Sequence, residues 1–329
     1  LEMKAEVLKA LSESDGFVSG EEISRAVGKT RTAVWQWIEE LRADGYVIEA
    51  VTRRGYRLVS RPDRVYPWEI ERHLDTRFVG RKIHYHEYIG STNDEAKLAV
   101  RNGAPEGTVV VAEAQVKGRG RRGRSWVSPY GAGVWSSAIL RPKISPYDAP
   151  KVALIAALAV VRGIEEATGV GAEIKWPNDV LVGGRKVAGI LVEMDAEIET
   201  VRAIVVGMGV NANVPMDALP AEVRATAGSL SDAAGVKIDR ALLLGRMLTH
   251  LERLYVAWTK RGFDGLLPEL KEKTATLGKR VRVIEAASEW EGKALDIAPD
   301  GALIVEDGAR APRRVYAAEV SIRLPEEDA

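Results

Sequence analysis

Eight residues, Lys117 to Arg124, restrict this chain more than any others: KGRGRRGR packs five cations with three glycines, and no acid stands between Gln115 and Trp126. Such a run cannot enter a core, because a buried guanidinium without a partner is strongly unfavourable. It lies between an apolar run ending at Gln115 and a second one, GAGVWSSAIL, so it projects from a folded core as a loop. Empty, this loop repels itself. Its glycines let the backbone curl round a ligand and its arginines offer planar forks to carboxylate or phosphate oxygens, which points to a lid for a small anion. The other reading is a solvated Arg/Gly segment that holds RNA loosely.

Attraction for anions has to come from such clusters, because Lys+Arg and Asp+Glu balance at 47 each. Absence of cysteine excludes disulfides, thiolate nucleophiles and thiolate metal sites. Of the four histidines, His84 and His86 are neighbours on one strand face, a spacing read as structural before metal-binding. No segment approaches the roughly 18 to 20 apolar residues of a membrane span, and LEMKAEVLKALSES lacks the apolar core of a signal peptide. No membrane partner is expected, and the expected location is cytoplasmic.

The pattern along the chain predicts a multidomain α+β protein. Met3, Val7, Leu8 and Leu11 share a helical face, Ser19 and Glu22 have capping-box spacing before a second helix, and a third runs from about Thr30 to Gly45. VIEAVTRRGYRLV then reads as a hairpin turning at Arg53-Arg54-Gly55, the wing of a winged helix-turn-helix. On the third helix Val34, Trp37, Ile38 and Leu41 should pack inward. Arg31, Thr32, Trp35 and Gln36 would then face a DNA major groove, with Arg53 and Arg54 on phosphate or the minor groove. Outward Glu39 and Glu40 oppose this reading and leave open a helix-turn-helix that binds no DNA. RPDRVYP, with Pro62 and Pro67, reads as a stiff linker. The boundaries fall at 1–62 for the winged domain, 63–272 for a mixed α/β domain and 273–329 for a small terminal β-barrel. Strands at Lys82–Tyr88 and Thr108–Gln115 and helices at Asp94–Arg101, Pro150–Thr168 and Asp239–Arg261 build the middle. Strands at Arg280–Glu285, Glu291–Ile297, Ala302–Glu306 and Val320–Leu324 build the end.

Three further segments carry candidate chemistry. In KWPND, Pro177 extends Trp176 and sets Lys175 at a corner, where a fixed ammonium suits carboxylate or phosphate and Asn178 and Asp179 could serve a nucleotide or its Mg2+. An exposed lysine beside a turn is the alternative. Gly189, in the strand after the Gly183-Gly184 hairpin, and Gly207 and Gly209, before Asn211 and Asn213, mark close approach of a ligand or a bend in the sheet. Ser91, Thr92 and Asn93 open a helix, and capping explains one or two of them.

Read in order, STN, GRGRRGRSWVSP, KWPND, RKVAGIL and GMGVNANV resemble the biotin protein ligase family, and the N-terminal helices extend the resemblance to its bifunctional ligase-repressors. The resemblance implies a central domain like the class II synthetases and a C-terminal SH3-like barrel. It implies activation of biotin by ATP with Mg2+ to biotinyl-AMP, and transfer to a lysine of a biotin carboxyl carrier protein, an acetyl-CoA carboxylase subunit. It further implies repression at operator DNA of biotin-synthesis genes by a homodimer when adenylate-bound. Ser91, Thr92, Asn93, Gln115, Arg119, Gly120, Arg121, Lys175 and Gly189 match positions around biotin. Arg119, Arg121, Arg124, Trp126, Lys175, Asn178 and Asn211 match positions around ATP and the adenylate, with Lys175 and Arg121 in the catalytic role. No protein metal ligand is implied. Two departures are Ala318, where a glycine is common, and Ala212, which interrupts Asn-Val-Asn. A lipoate ligase or a ligand-sensing regulator without ligase activity are the alternatives.

Overall fold

Local capping sets the first helices. In the computed structural model, which describes residues 2–14, 16–196, 200–285, 288–309, 311–316 and 321–323, Glu22 N–H donates to Ser19 Oγ at 3.1 Å and Ser19 N–H to Glu22 Oε2 at 2.8 Å. This capping box places α2 (Gly20–Val27) after α1 (Glu2–Ser12), and Gly28, at φ 65°, ends it. Thr30 caps α3 (Arg31–Ala43), which stops two residues before the expected Gly45. Strands β1 (Val47–Val51) and β2 (Gly55–Ser60) pair antiparallel as the wing. Val7, Leu8, Leu11, Ile23, Val34, Ile38 and Leu41 form the core of this unit. Trp37, expected among them, is only half-buried. At 100° per residue it lies about 70° from the centre of the stripe set by Val34, Ile38 and Leu41, at the rim of the core.

The chain divides into two compact units, Leu1–Asp63 and Arg64–Ala329. The proposed linker is shorter than RPDRVYP, because Val65 is fully buried and Pro67 starts a helix, α4 (Pro67–Glu71). Proline suits that position because its missing N–H would have no helical partner there.

The second unit continues through β3 (Ile83–Ile89), α5 (Thr92–Arg101), β4 (Val109–Gln115), β5 (Val134–Leu140) and α6 (Ala149–Thr168). After them come β6 (Glu173–Lys175), β7 (Asp179–Val182), β8 (Arg185–Ala196), β9 (Val201–Val210), α7 (Ala221–Arg224), α8 (Leu230–Ala234), α9 (Arg240–Arg261) and α10 (Leu267–Glu272). The strands form one sheet in the order β3-β4-β5-β9-β8-β7-β6, parallel between β3 and β4 and antiparallel elsewhere. Val109, Val111, Val134, Ala138, Val206 and Met208 join α6 and α9 in the main core. α6 is apolar on nearly all sides because the sheet covers one flank and α9 another. Val110, Ile139, Ala203 and Val205, on the opposite face, pack with Ala96 and Ala99 of α5.

The remaining strands, β10 (Arg280–Ile284), β11 (Glu289–Ile297), β12 (Leu303–Glu306), β13 (Pro312–Val315) and β14 (Ser321–Arg323), form an antiparallel sheet in the order β13-β12-β11-β10-β14. Among the described residues its end strands do not pair with each other. β13 was not expected, since PRRV carries a proline and two exposed arginines and lacks an apolar alternation. Ala318 and both ends of the expected strand Val320–Leu324 lie outside the described residues. Among the described residues no helix is long and apolar enough to cross a membrane.

Candidate functional site

Alternation along a strand sends Val206, Met208 and Val210 to the α6 side, so Gly207 and Gly209 open on the α5 side, where Gly189 stands in register with Gly209. A Cβ on Gly207 would lie 2.3 Å from Asn93 Oδ1, and one on Gly209 would lie 2.7 Å from Trp126 Nε1. The three glycines therefore clear a groove, the floor of a cavity of about 580 Å³. Ser91, Thr92, Asn93 and Gln115 border it from the start of α5 and the end of β4. Arg119, Gly120, Arg121, Arg124 and Trp126 border it from the loop, and Lys175, Asn178, Gly189 and Asn211 from β6 to the end of β9. Residues named for biotin and for ATP thus share one cavity.

Ser91 makes no side-chain capping bond, so the cap reading fails for it. Thr92 is engaged elsewhere: its N–H and Oγ1 donate to Gln115 Oε1 at 2.8 and 3.1 Å, and Gln115 Nε2 donates to Ser128 Oγ at 2.9 Å. Fully buried Ser137 places its Oγ 2.8 Å from Thr92 Oγ1 and 2.6 Å from Asn93 Oδ1. Asn93 Nδ2 donates to Glu193 Oε2 at 2.8 Å. These bonds fix the polar wall in one orientation. Sequence reasoning missed Ser137 and Glu193, which sit in apolar strand runs with no motif of their own.

The loop is not left to repel itself. Arg119 is paired with Asp94, and Arg121 Nη1 donates to Asn178 Oδ1 at 2.9 Å. Asn178 Nδ2 donates to Ile190 O at 2.9 Å, which turns its oxygen toward Arg121. Burial pushes the Arg121 guanidinium below its ordinary value, while Asp94 raises that of Arg119. Arg122, at φ 55°, and Gly123, at φ 71°, make the tight curl at the tip. Lys175 is 5% exposed at the end of β6, which removes the alternative of a solvated surface lysine. The turn after it is held by Trp176, whose N–H donates to Thr276 Oγ1 and Nε1 to Gly301 O. The Trp176-Pro177 peptide is cis, not part of a simple extended run. Lys186 Nζ lies 2.7 Å from Asp179 Oδ1 and 5.2 Å from the Trp126 ring centre, on the same wall as Asn211, whose Nδ2 donates to Gly228 O. Leu219, Pro220, Val223 and Thr226, around α7, add a wall that no motif announced. No group of three or more His, Cys, Asp or Glu among the described residues could hold a metal ion.

In the first unit Arg31, Thr32, Trp35 and Gln36 are exposed together on α3, Trp35 to 53%. Glu39 pairs with Arg42 at 2.6 Å and Glu40 with Lys4 at 3.1 Å, so the two acids that opposed a DNA-binding face are each compensated. At the wing, Arg53 adopts φ 66°, and Arg54 and Arg57 lie 4.5 and 5.0 Å from the ring centre of Phe17.

The profile of the biotin/lipoate A/B protein ligase family matches residues 85–211, that of an HTH domain residues 4–57, and that of the biotin protein ligase C terminal domain residues 276–323. The bifunctional ligase/repressor BirA of Bacillus subtilis (strain 168) is 43% identical over 306 residues, 93% of this chain and 94% of that protein. The biotin--[acetyl-CoA-carboxylase] ligase of Mycobacterium tuberculosis (strain ATCC 25618 / H37Rv) is 33% identical over 259 residues, 75% of this chain and 94% of that protein. Among solved structures, the biotin protein ligase from Aquifex aeolicus in complex with biotin and ATP matches with a TM-score of 0.65 at 25% identity, over 74% of this chain and 99% of that one.

Proposed function

The chain belongs to the biotin protein ligases, among the bifunctional ligase/repressors, and we propose that the cavity on the α5 side of the sheet is where it joins biotin to ATP. It is an ATP-dependent biotin ligase with a helix-turn-helix domain. The observation that carries the assignment of the site is the convergence of Lys175, Arg119 and Arg121 on one cavity whose other wall is the fixed polar set of Thr92, Asn93 and Gln115.

A carboxylate oxygen of biotin attacks the α-phosphorus of ATP and pyrophosphate leaves, although nucleophile and electrophile are both anionic. Cations preset around the reacting atoms lower that repulsion and stabilise the charge that builds in the transition state. Lys175 supplies a buried ammonium at a rigid corner, and Arg121 supplies a guanidinium from the loop above it. Ser91, Thr92, Asn93 and Gln115 offer donors and acceptors for the uncharged end of biotin, and Gly120 and Gly189 leave it room. Arg124, Trp126, Asn178 and Asn211 stand toward the nucleotide. Mg2+ bound with the ATP phosphates would neutralise part of their charge, and because this ion takes few protein ligands the Asp179 carboxylate on the cavity wall would be enough to hold it. The acyl phosphate is prone to hydrolysis, and the closed loop excludes water until the amine of a carrier lysine attacks the acyl carbon, AMP leaves and the amine proton passes to solvent.

The division into 1–62, 63–272 and 273–329 fits this reading, with a class II synthetase-like centre and with the five C-terminal strands curled as an SH3-like barrel. A biotin carboxyl carrier protein is the acceptor, and the adenylate-bound homodimer binds operator DNA through α3 and the wing. Incubation with biotin, α-labelled ATP and Mg2+ tests the central step. The expected result is biotinyl-AMP with release of pyrophosphate, then label-free transfer of biotin when a carrier fragment is added. Ligand binding without pyrophosphate release would leave a sensor, and turnover of lipoate in place of biotin would leave a lipoate ligase.

A further inference from the structure

Lys175 ends the shortest strand of the large sheet. β6 has three residues and lies at the edge, with β7 on its inner side only. Its outer side is closed by residues 273–276, which join α10 to β10. One residue before the lysine, Ile174 N–H donates to Lys273 O at 2.7 Å and Ala275 N–H donates to Ile174 O at 2.9 Å, a parallel bridge. One residue after it, Trp176 N–H donates to Thr276 Oγ1 at 3.0 Å and Trp176 Nε1–H to Gly301 O at 3.2 Å, in the turn that leads into β12. Ile174 and Trp176 are buried in the main core, so strand alternation sends Lys175 the other way, to the cavity. Both neighbours of the ammonium-bearing residue thus hang on the chain that follows α10. Thr276 is fully buried, which leaves water no access to replace its oxygen.

We propose that Thr276 is a positioning residue for adenylation: by taking the N–H of Trp176 it fixes the peptide that carries Lys175, and with it the place of the ammonium beside the reacting atoms. A lysine holds its charge on a long flexible stem, so the ammonium is aimed only as well as the backbone beneath it. Misplacement on the order of 1 Å at a reacting centre costs up to about 10² in rate. A methyl group in place of the Thr276 hydroxyl would keep the shape but accept no bond, and Trp176 N–H would be left buried without a partner. It would have to seek another acceptor, and any movement that finds one carries Lys175 along. The bonds of Ile174 run from backbone to backbone and survive a change of side chain, so the hydroxyl of Thr276 is the part of this bracket that one substitution removes. The adenylating role of Lys175 rests here on the ligase reading.

The experiment compares the full chain carrying Thr276→Val, Thr276→Ser, Trp176→Phe, Lys175→Ala or the double change Thr276→Val with Lys175→Ala. Thr249→Val is the control, because Thr249 is similarly buried and takes the N–H of Asp75 at the same 3.0 Å, on α9 and away from the cavity. Two quantities are read: kcat and KM of biotinyl-AMP formation, and the rate at which acetic anhydride modifies Lys175 without ligand, followed by mass spectrometry. Thr276→Val should lower kcat about tenfold and change KM for biotin less than about twofold, and Trp176→Phe, which drops only the bond to Gly301, should lower kcat about threefold. Thr276→Ser and Thr249→Val should stay within about twofold of wild type, and Thr276→Val should cost nothing further once Lys175 is alanine. Lys175 should be modified about fivefold faster in Thr276→Val and at the wild-type rate in Thr249→Val. A kcat unchanged in both Thr276→Val and Trp176→Phe, an equal loss in Thr249→Val, or a loss that persists beside Lys175→Ala would overturn the proposal. A wild-type chain that forms no biotinyl-AMP would remove the ligase reading instead, leaving the modification rates to decide this one.

Discussion

At Lys175 the charge of a single side chain is at stake. It is nine-tenths or more buried at the end of β6, in a corner fixed by the bonds of Trp176 to Thr276 and Gly301. Lys175→Ala should slow biotinyl-AMP formation on the order of 10² to 10³ while the far-ultraviolet spectrum is unchanged, because an oriented charge at a reacting centre is worth several kcal/mol. A variant within threefold of wild type would take the residue out of the catalytic role. Gly207 makes the complementary case, where the absence of an atom matters. Its missing Cβ would meet Asn93 Oδ1 at 2.3 Å, and Asn93 is held by Ser137 and Glu193 and has little freedom to retreat. Gly207→Ala should therefore lower stability by about 1 to 3 kcal/mol in denaturant unfolding and weaken biotin binding more than ATP binding in calorimetry. Equal affinities in variant and wild type would mean that the groove is not the biotin subsite.

Among elements, the third helix and the wing make separate claims on DNA. Arg53→Ala with Arg54→Ala should weaken binding on all sequences and flatten the dependence of log K on log salt by up to about two units, one for each lost phosphate contact. Gln36→Ala should instead change which operator bases are preferred, as read in a selection from random duplexes. If the double arginine change leaves the salt slope intact, the wing does not touch phosphate. Elements of this kind are legible in a sequence because their signals are local. Ser19 with Glu22 places the start of α2, Gly28 places its end, and the apolar period places α6 and α9. Much of the site was legible for the same reason, since glycines in strands and a dense run of cations are features of short segments. Partners brought together by tertiary folding were not. Asp94 meets Arg119 across 25 residues, Asn93 meets Glu193 across 100, and Arg240 meets Glu113 across 127, and no periodicity reports such pairs. Proline was ambiguous in its own way. Pro67 suits a linker and the first turn of a helix equally, and the choice was made by the burial of Val65 beside it.

For the molecule as a whole, the decisive place is where the chain enters its second unit. Val65 N–H donates to Glu113 Oε1 at 3.1 Å, and the other oxygen of this fully buried carboxylate takes Arg240 of α9 at 2.8 Å. Arg64 sits 4.0 Å from Glu113 and 5.0 Å from the ring centre of Tyr130. A shortened chain of residues 64–329 keeps these contacts and should form biotinyl-AMP at the rate of the full chain. One of residues 68–329 loses that donor together with the buried side chains of Val65 and Tyr66 and should unfold at lower urea, by on the order of several kcal/mol. Equal stability of the two would show that the contact at Val65 contributes nothing. The same junction has a mechanical meaning. Tension applied between the N-terminus and a handle on α9 travels along residues 1–63 and is stopped at Val65 by a strand and a long helix together. The first unit should give way alone, drawing residues 1–63 out to a contour length of about 220 Å at 3.3 to 3.6 Å per residue, before the second unit bears any rupture.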